Sequence, residues 1–109
     1  MTSNPNPIRI LVVDDHPLFR NGIAAVLAHQ PDMSLVGEAS NGREGIEQFR
    51  EHRPDITLMD LQMPEMNGID ALLAIRKEFP DAKITVLTTY KGDVQVSRAL
   101  KIGARAYLL

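Results

Sequence analysis

No cysteine and no tryptophan occur among the 109 residues. Without thiols the chain can build neither a disulfide framework nor a thiolate metal site, which fits a reducing compartment, with the cytoplasm as the default. A basic excess is missing too: 12 Lys and Arg stand against 14 Asp and Glu, for a net charge of -2. The electrostatic footprint of nucleic-acid binding is therefore absent. No apolar run approaches the roughly 20 residues that cross a bilayer, so neither a membrane span nor a membrane partner is expected. Met1 to Pro7 lacks the cationic start and apolar stretch of a secretory signal and reads as a polar tail. The length allows one core rather than two, so the domain is expected over residues 8–109, without a separate effector domain.

What the chain does have is a series of short β-branched runs separated by helical patterns. Ile8 to Val13 is such a run, and Pro17 suits the first position of a helix, along which Phe19, Ile23, Val26 and Leu27 repeat at helical spacing. Met33 to Ala39 reads as a second strand. Asn41-Gly42 is the turn or cap before a helix with Ile46 and Phe49 on one face, which Pro54 ends. Ile56 to Met59 is the third strand, and a loop with Pro64 and Gly68 leads into a helix whose Ile69, Leu72, Leu73 and Phe79 point inward. After Pro80-Asp81 come a fourth strand, Ile84 to Leu87, a weaker helix, Val94 to Ile102, capped by Gly103, and a fifth strand from Ala106 to Leu109. The alternation predicts βαβ units, hence an α/β fold with a doubly wound parallel sheet, right-handed crossovers and helices on both faces. The helix expected after the fifth strand is not in the sequence, and the domain reads as cut short.

Three aspartates stand at strand ends: Asp14 and Asp15 close the first run, and Asp60 closes the third. In an open parallel sheet those ends form the ligand crevice. Three like charges at one mouth repel one another, and a divalent cation relieves them. Oxygen donors suit Mg²⁺, while the lack of Cys and of paired His argues against zinc. Asp60 is a lone carboxylate at the mouth of its strand, placed as a nucleophile toward phosphorus beside the cation. Thr88, at the end of the fourth strand, is placed to donate a hydroxyl hydrogen bond to a phosphoryl oxygen.

Plainer readings exist for each. Asp14-Asp15 could form a turn and cap the next helix, worth about 1 kcal/mol. Thr88 could be an ordinary strand residue, and Tyr107 core or edge packing. His16 is expected to face solvent, while His29 and His52 sit near helix C-termini, where positive charge is favourable. Met59, Met63 and Met66 are expected to pack beneath the loop, and Arg43, Arg50 and Arg53 to form a solvated face.

Four segments in order carry a family resemblance: Val12-Val13-Asp14-Asp15-His16-Pro17, Leu58 to Gly68 (LMDLQMPEMNG), Val86-Leu87-Thr88-Thr89 and Gly103 to Leu109 (GARAYLL). From Ile8 onward the chain resembles the receiver domain of bacterial two-component response regulators, and the segments DDHPLFR and LTTY resemble the NarL/FixJ (LuxR-type) subfamily. The resemblance implies a flavodoxin-like sheet of order 2-1-3-4-5 in which Asp60 accepts a phosphoryl group from a sensor histidine kinase. It implies Mg²⁺ held by Asp15, Asp60 and the backbone carbonyl of Gln62, with Asp14 acting through a water. Thr88 would be the switch hydroxyl and Tyr107 the switch aromatic, while Gln62 influences how long the phosphate survives. The subfamily reaches DNA through an appended helix-turn-helix domain, which this chain lacks. The family pattern also places a lysine directly after the fifth strand, where the chain ends, and Lys101 falls on the preceding helix instead. A fragment of a longer regulator is expected, with homodimers or larger assemblies through apolar sheet surface that the missing helix would cover.

Three other classes compete with a phosphorylatable module. A haloacid-dehalogenase-type phosphatase wants an Asp two residues after the nucleophile, where Gln62 stands. A flavin carrier on this topology wants phosphate-binding donors where Asp14-Asp15 would repel. A receiver-like interaction domain without productive phosphorylation is the remaining alternative.

Overall fold

The computed structural model describes residues 6–60, 63, 66–86, and the backbone of 87 and 106–108. The elements are β1 (Ile8–Val13), α1 (Pro17–Ala28), β2 (Met33–Ala39), α2 (Gly42–His52), β3 (Ile56–Asp60), α3 (Gly68–Glu78), β4 (Ile84–Leu87) and β5 (Ala106–Leu108). All pairings are parallel and the strand order is β2-β1-β3-β4-β5, the order that the resemblance implies. β3 runs one residue further than its apolar run and takes in Asp60. The expected helix at 94–102 and the first five residues of the expected tail lie outside the described residues.

β1 is an inner strand covered on both faces, which is why its sequence is a continuous apolar run instead of an alternation. Leu11 and Val13 point into the larger core with Met59, Leu72, Ile75, Ile84 and Val86, beneath α2 and α3. Ile10 and Val12 point the other way, into a smaller core with Leu27 of α1. Each fully buried aliphatic side chain of this kind contributes about 1.5–3 kcal/mol, so β1 is fixed in register by both layers at once.

Two helices are capped in the same manner. The Asn41 side-chain oxygen accepts from the Glu44 amide ahead of α2, and that of Asn67 accepts from the Asp70 amide ahead of α3. Each such cap is worth about 1 kcal/mol. α1 differs: Pro17 opens it behind His16, which makes no side-chain cap. α2 ends at Arg53, a left-handed residue with φ 46° whose amide donates to the Phe49 carbonyl. Its guanidinium lies 4.3 Å from the centre of the Phe79 ring, and Arg50 pairs with Glu78. The basic stretch of α2 is exposed as expected, but two of its members join α2 to the end of α3.

One inward assignment is corrected, on α3. Along α1 only Ile23 and Leu27 of the apolar repeat reach the smaller core; Phe19 and Val26 are exposed, because a helix lying on one face of a sheet buries a narrow i, i+4 stripe. On α3 the buried stripe runs through Ile69, Ala71, Leu72 and Ile75, and Leu73 falls on its flank and is exposed. Among the described residues no helix is long and apolar enough to cross a membrane.

Candidate cation and phosphoacceptor site

β1 and β3 are direct neighbours, with Val13 opposite Met59. Their next residues, Asp14 just past the end of β1 and Asp60 as the last residue of β3, therefore stand side by side at the carboxyl edge of the sheet. Both are buried. The Asp14 amide still donates to the Ala39 carbonyl, extending the β1–β2 ladder by one bond, and its Oδ1 accepts from the His16 amide at 2.8 Å. The turn-forming role of the acidic pair is thus real, and it is what swings Asp15 to the same mouth. Arg20, on the first turn of α1, donates through Nη1 to the Asp14 carbonyl and lies 3.4 Å from Glu38 through Nε, holding the turn from behind.

His16 is largely exposed, as expected, but its Nδ1 is turned back onto the carboxylates. It lies 2.7 Å from Asp14 Oδ1, 3.1 Å from Asp15 Oδ1 and 3.9 Å from Asp60 Oδ2. The hydrogen bond to Asp14 raises the imidazole pKa above its ordinary value, and the charges of Asp14 and Asp15 add to the rise. Donor atoms of Asp14, Asp15, His16 and Asp60 all lie within 4.8 Å of one another.

One atom tests whether a cation belongs here. Asp15 Oδ1 is buried and has no hydrogen-bond partner; the nearby His16 ring approaches it without hydrogen-bond geometry. A buried carboxylate oxygen left unpaired beside two other carboxylates is costly. A divalent ion would satisfy it, and the oxygen-rich set fits a hard cation such as Mg²⁺.

The structure brings together Asp14, Asp15 and Asp60. Gln62 and Thr88 lie outside the described residues, although Leu87 pairs with Asp60 in register. Tyr107 is in β5 opposite Val86, with its side chain outside the described residues. Met59 is fully buried, and Met63 and Met66 pack against the core as expected. Sequence reasoning missed Arg20, whose position on the first turn after the acidic pair was the available signal. It also missed Gly42, whose amide donates to the Met66 carbonyl at 3.0 Å. A Cβ there would lie 2.5 Å from that oxygen, so the loop after β3 and the start of α2 meet where no side chain fits.

A five-stranded parallel sheet of this order, with an acidic cluster where β1 and β3 end, defines a receiver-type signalling domain. The chain belongs to the response regulator receiver domain family, which it matches over residues 10–109, and is a receiver of the two-component kind. It is 47% identical over 102 residues to the transcriptional regulatory protein LiaR of Bacillus subtilis, covering 94% of this chain and 48% of that protein. It is 43% identical over 107 residues to the nitrate/nitrite response regulator NarL of Escherichia coli, covering 98% of this chain and 50% of the relative. The signal receiver domain of the putative response regulator NarL from Mycobacterium tuberculosis superposes with a TM-score of 0.89 at 34% identity, covering 96% of this chain and 85% of that one. The chain spans about half the length of the relatives it matches.

Proposed function

We propose that Asp60 is the phosphoacceptor of this receiver and that Asp15, Asp60 and the Gln62 carbonyl hold Mg²⁺, with Asp14 acting through a bound water. The observation that carries this reading is the meeting of three carboxylates at the ends of β1 and β3 around the unpaired Asp15 Oδ1. When bound, Mg²⁺ supplies charge neutralisation for the phosphoryl oxygens. The protein's own part is positioning. β3 presents the Asp60 carboxylate in line with an incoming phosphohistidine of a sensor kinase. An Asp60 oxygen bonds to phosphorus as the phosphorus–nitrogen bond breaks, and the nitrogen keeps the electron pair and takes up a proton. The product is an acyl phosphate that carries about -1.5 to -2 charge.

That charge would draw in the Thr88 hydroxyl and shift the β4–β5 region, including Tyr107, between two packings. In this reading the domain modifies itself and turns over no external substrate. It works in the cytoplasm, and its output is transcription control through a helix-turn-helix DNA-binding domain of the kind the subfamily appends.

The test is incubation with Mg²⁺ and acetyl phosphate followed by intact-mass measurement, on this chain and on one extended to the length of its relatives. One added phosphoryl group, lost in Asp60→Asn, is expected. No gain in the extended protein, or an undiminished gain in Asp60→Asn, overturns the assignment.

A further inference from the structure

We propose that the imidazole of His16 is a fourth ligand of the acidic site, so that this receiver favours divalent transition ions that accept nitrogen more than its aspartates alone would. The inference rests on the cation reading of Asp14, Asp15 and Asp60 given above. His16 has 61% of its side chain in solvent, and its hydrogen bond to Asp14 Oδ1 turns Nδ1 inward. That places Nδ1 among the three carboxylates, at 2.7, 3.1 and 3.9 Å. Two donors each about 2.1 Å from a shared ion lie about 3 Å apart when adjacent and about 4 Å apart when opposite. The spacings around Nδ1 are of that size, and the unpaired Asp15 Oδ1 is one of the atoms they reach.

The backbone that carries the ring is held in place. The His16 amide is bonded to Asp14 Oδ1, its carbonyl accepts from the Arg20 amide, and Pro17 restricts the residue before it. In the metal-free site Nδ1 donates to Asp14, so an ion would displace that proton and take the Nδ1 lone pair without turning the ring. Mg²⁺ gains little from such a donor, because it prefers oxygen and gives up water reluctantly. Mn²⁺, Co²⁺, Ni²⁺ and Zn²⁺ gain increasingly or substantially from nitrogen donors, so the same four residues would discriminate by ion type. Sequence reasoning set zinc aside for want of paired histidines. One imidazole added to three carboxylates is enough to move the preference.

The probe is Co²⁺ alone compared with Mg²⁺ alone, titrated by calorimetry into the 109-residue protein and into His16→Gln and His16→Asn near neutral pH. Proton spectra of the imidazoles are recorded alongside, and circular dichroism checks that the variants are folded. The pair of half-buried His52 Nε2 and exposed Glu51 Oε2, 3.3 Å apart, is a second place where Co²⁺ can bind, and it is unchanged in both variants. Loss of the His16 ligand is expected to lower the ratio of Co²⁺ to Mg²⁺ affinity about tenfold or more. In the unsubstituted protein, Co²⁺ should shift and broaden the His16 ring protons beyond those of His29. A ratio unchanged within about threefold, or His16 ring protons no more affected than those of His29, overturns the proposal. If Mg²⁺ binding then persists and is lost in Asp15→Asn, the aspartate reading survives without the imidazole. If neither ion binds the unsubstituted protein, both readings fall.

Discussion

The amide of Gly42 donates to the carbonyl of Met66 across 3.0 Å, joining the first turn of α2 to the loop that runs from Asp60 to α3. The contact is possible only because residue 42 has no side chain: a Cβ would stand 2.5 Å from the Met66 oxygen and 2.8 Å from its Cγ. Gly42→Ala must push the loop or the helix away. We expect a loss of about 1–3 kcal/mol, the usual cost of forcing one extra carbon into a packed contact, seen as a lower denaturation midpoint at unchanged m-value. Weaker Mg²⁺ binding should accompany it, because the displaced loop leads directly out of β3. A variant as stable as the parent would show that the loop shifts freely.

Neutralising one carboxylate should stabilise the metal-free protein and remove its response to Mg²⁺. Asp15 is the informative choice, since its Oδ1 is buried with no hydrogen bond to lose, whereas Asp14 anchors the turn through the His16 amide. Asp15→Asn is expected to raise stability without metal by about 1 kcal/mol through relief of like-charge repulsion. Unsubstituted protein should instead gain about 2.7 kcal/mol when Mg²⁺ reaches a hundred times its dissociation constant. Thermal melts with excess chelator and with a Mg²⁺ series check both halves. A variant that still melts higher as Mg²⁺ is added would remove Asp15 from the cation site.

The ladder of this fold was legible because its period is local. Continuous apolar runs bounded by Pro, Gly, Asn and Asp placed β1, β2 and β4 at the residues where they lie, and β3 within one residue. The three aspartates were legible for the same reason, as charged ends of apolar strands. The inward turn of His16 Nδ1, the reach of Arg20 to the Asp14 carbonyl and the Gly42–Met66 bond depend instead on rotamers and on segments far apart in sequence. No hydrophobic period reports them. Leu73 was misplaced because a helical repeat tells which residues share a face but not how wide a stripe the sheet covers.

A pH dependence follows from the start of α2. Glu44 accepts hydrogen bonds from both the amide and the hydroxyl of Ser40, each at 2.8 Å. These bonds, the backbone one first, hold its carboxyl below the ordinary glutamate range. A carboxyl whose pKa falls on folding contributes stability that is present above its unfolded-state pKa and is lost as pH falls through its folded-state value. Urea titrations from neutral pH into the acid range should show Glu44→Gln less stable than the parent near neutrality, with the gap closing as the glutamate protonates. A gap independent of pH would mean that the carboxylate charge plays no part in the cap.

Thr57 poses the opposite problem, a polar atom in a place made for apolar ones. It lies in β3 opposite Leu11, is fully buried, and its Oγ1 has no hydrogen-bond partner. Its amide is satisfied by the Lys83 carbonyl, so the backbone needs nothing from the hydroxyl. A buried hydroxyl without a partner costs about 1–3 kcal/mol, while Val and Thr share the same branching and strand preference. Thr57→Val should therefore stabilise by about 1 kcal/mol, a rise of about 4–8 °C in melting temperature for a domain of this size. Thr57→Ser provides the contrast: it keeps the unpaired hydroxyl, deletes the packed methyl and leaves a small void, so it should destabilise by about 1 kcal/mol. If the valine variant melts lower than the parent, the hydroxyl has a partner after all, and an ordered water between β3 and α3 is the species to look for.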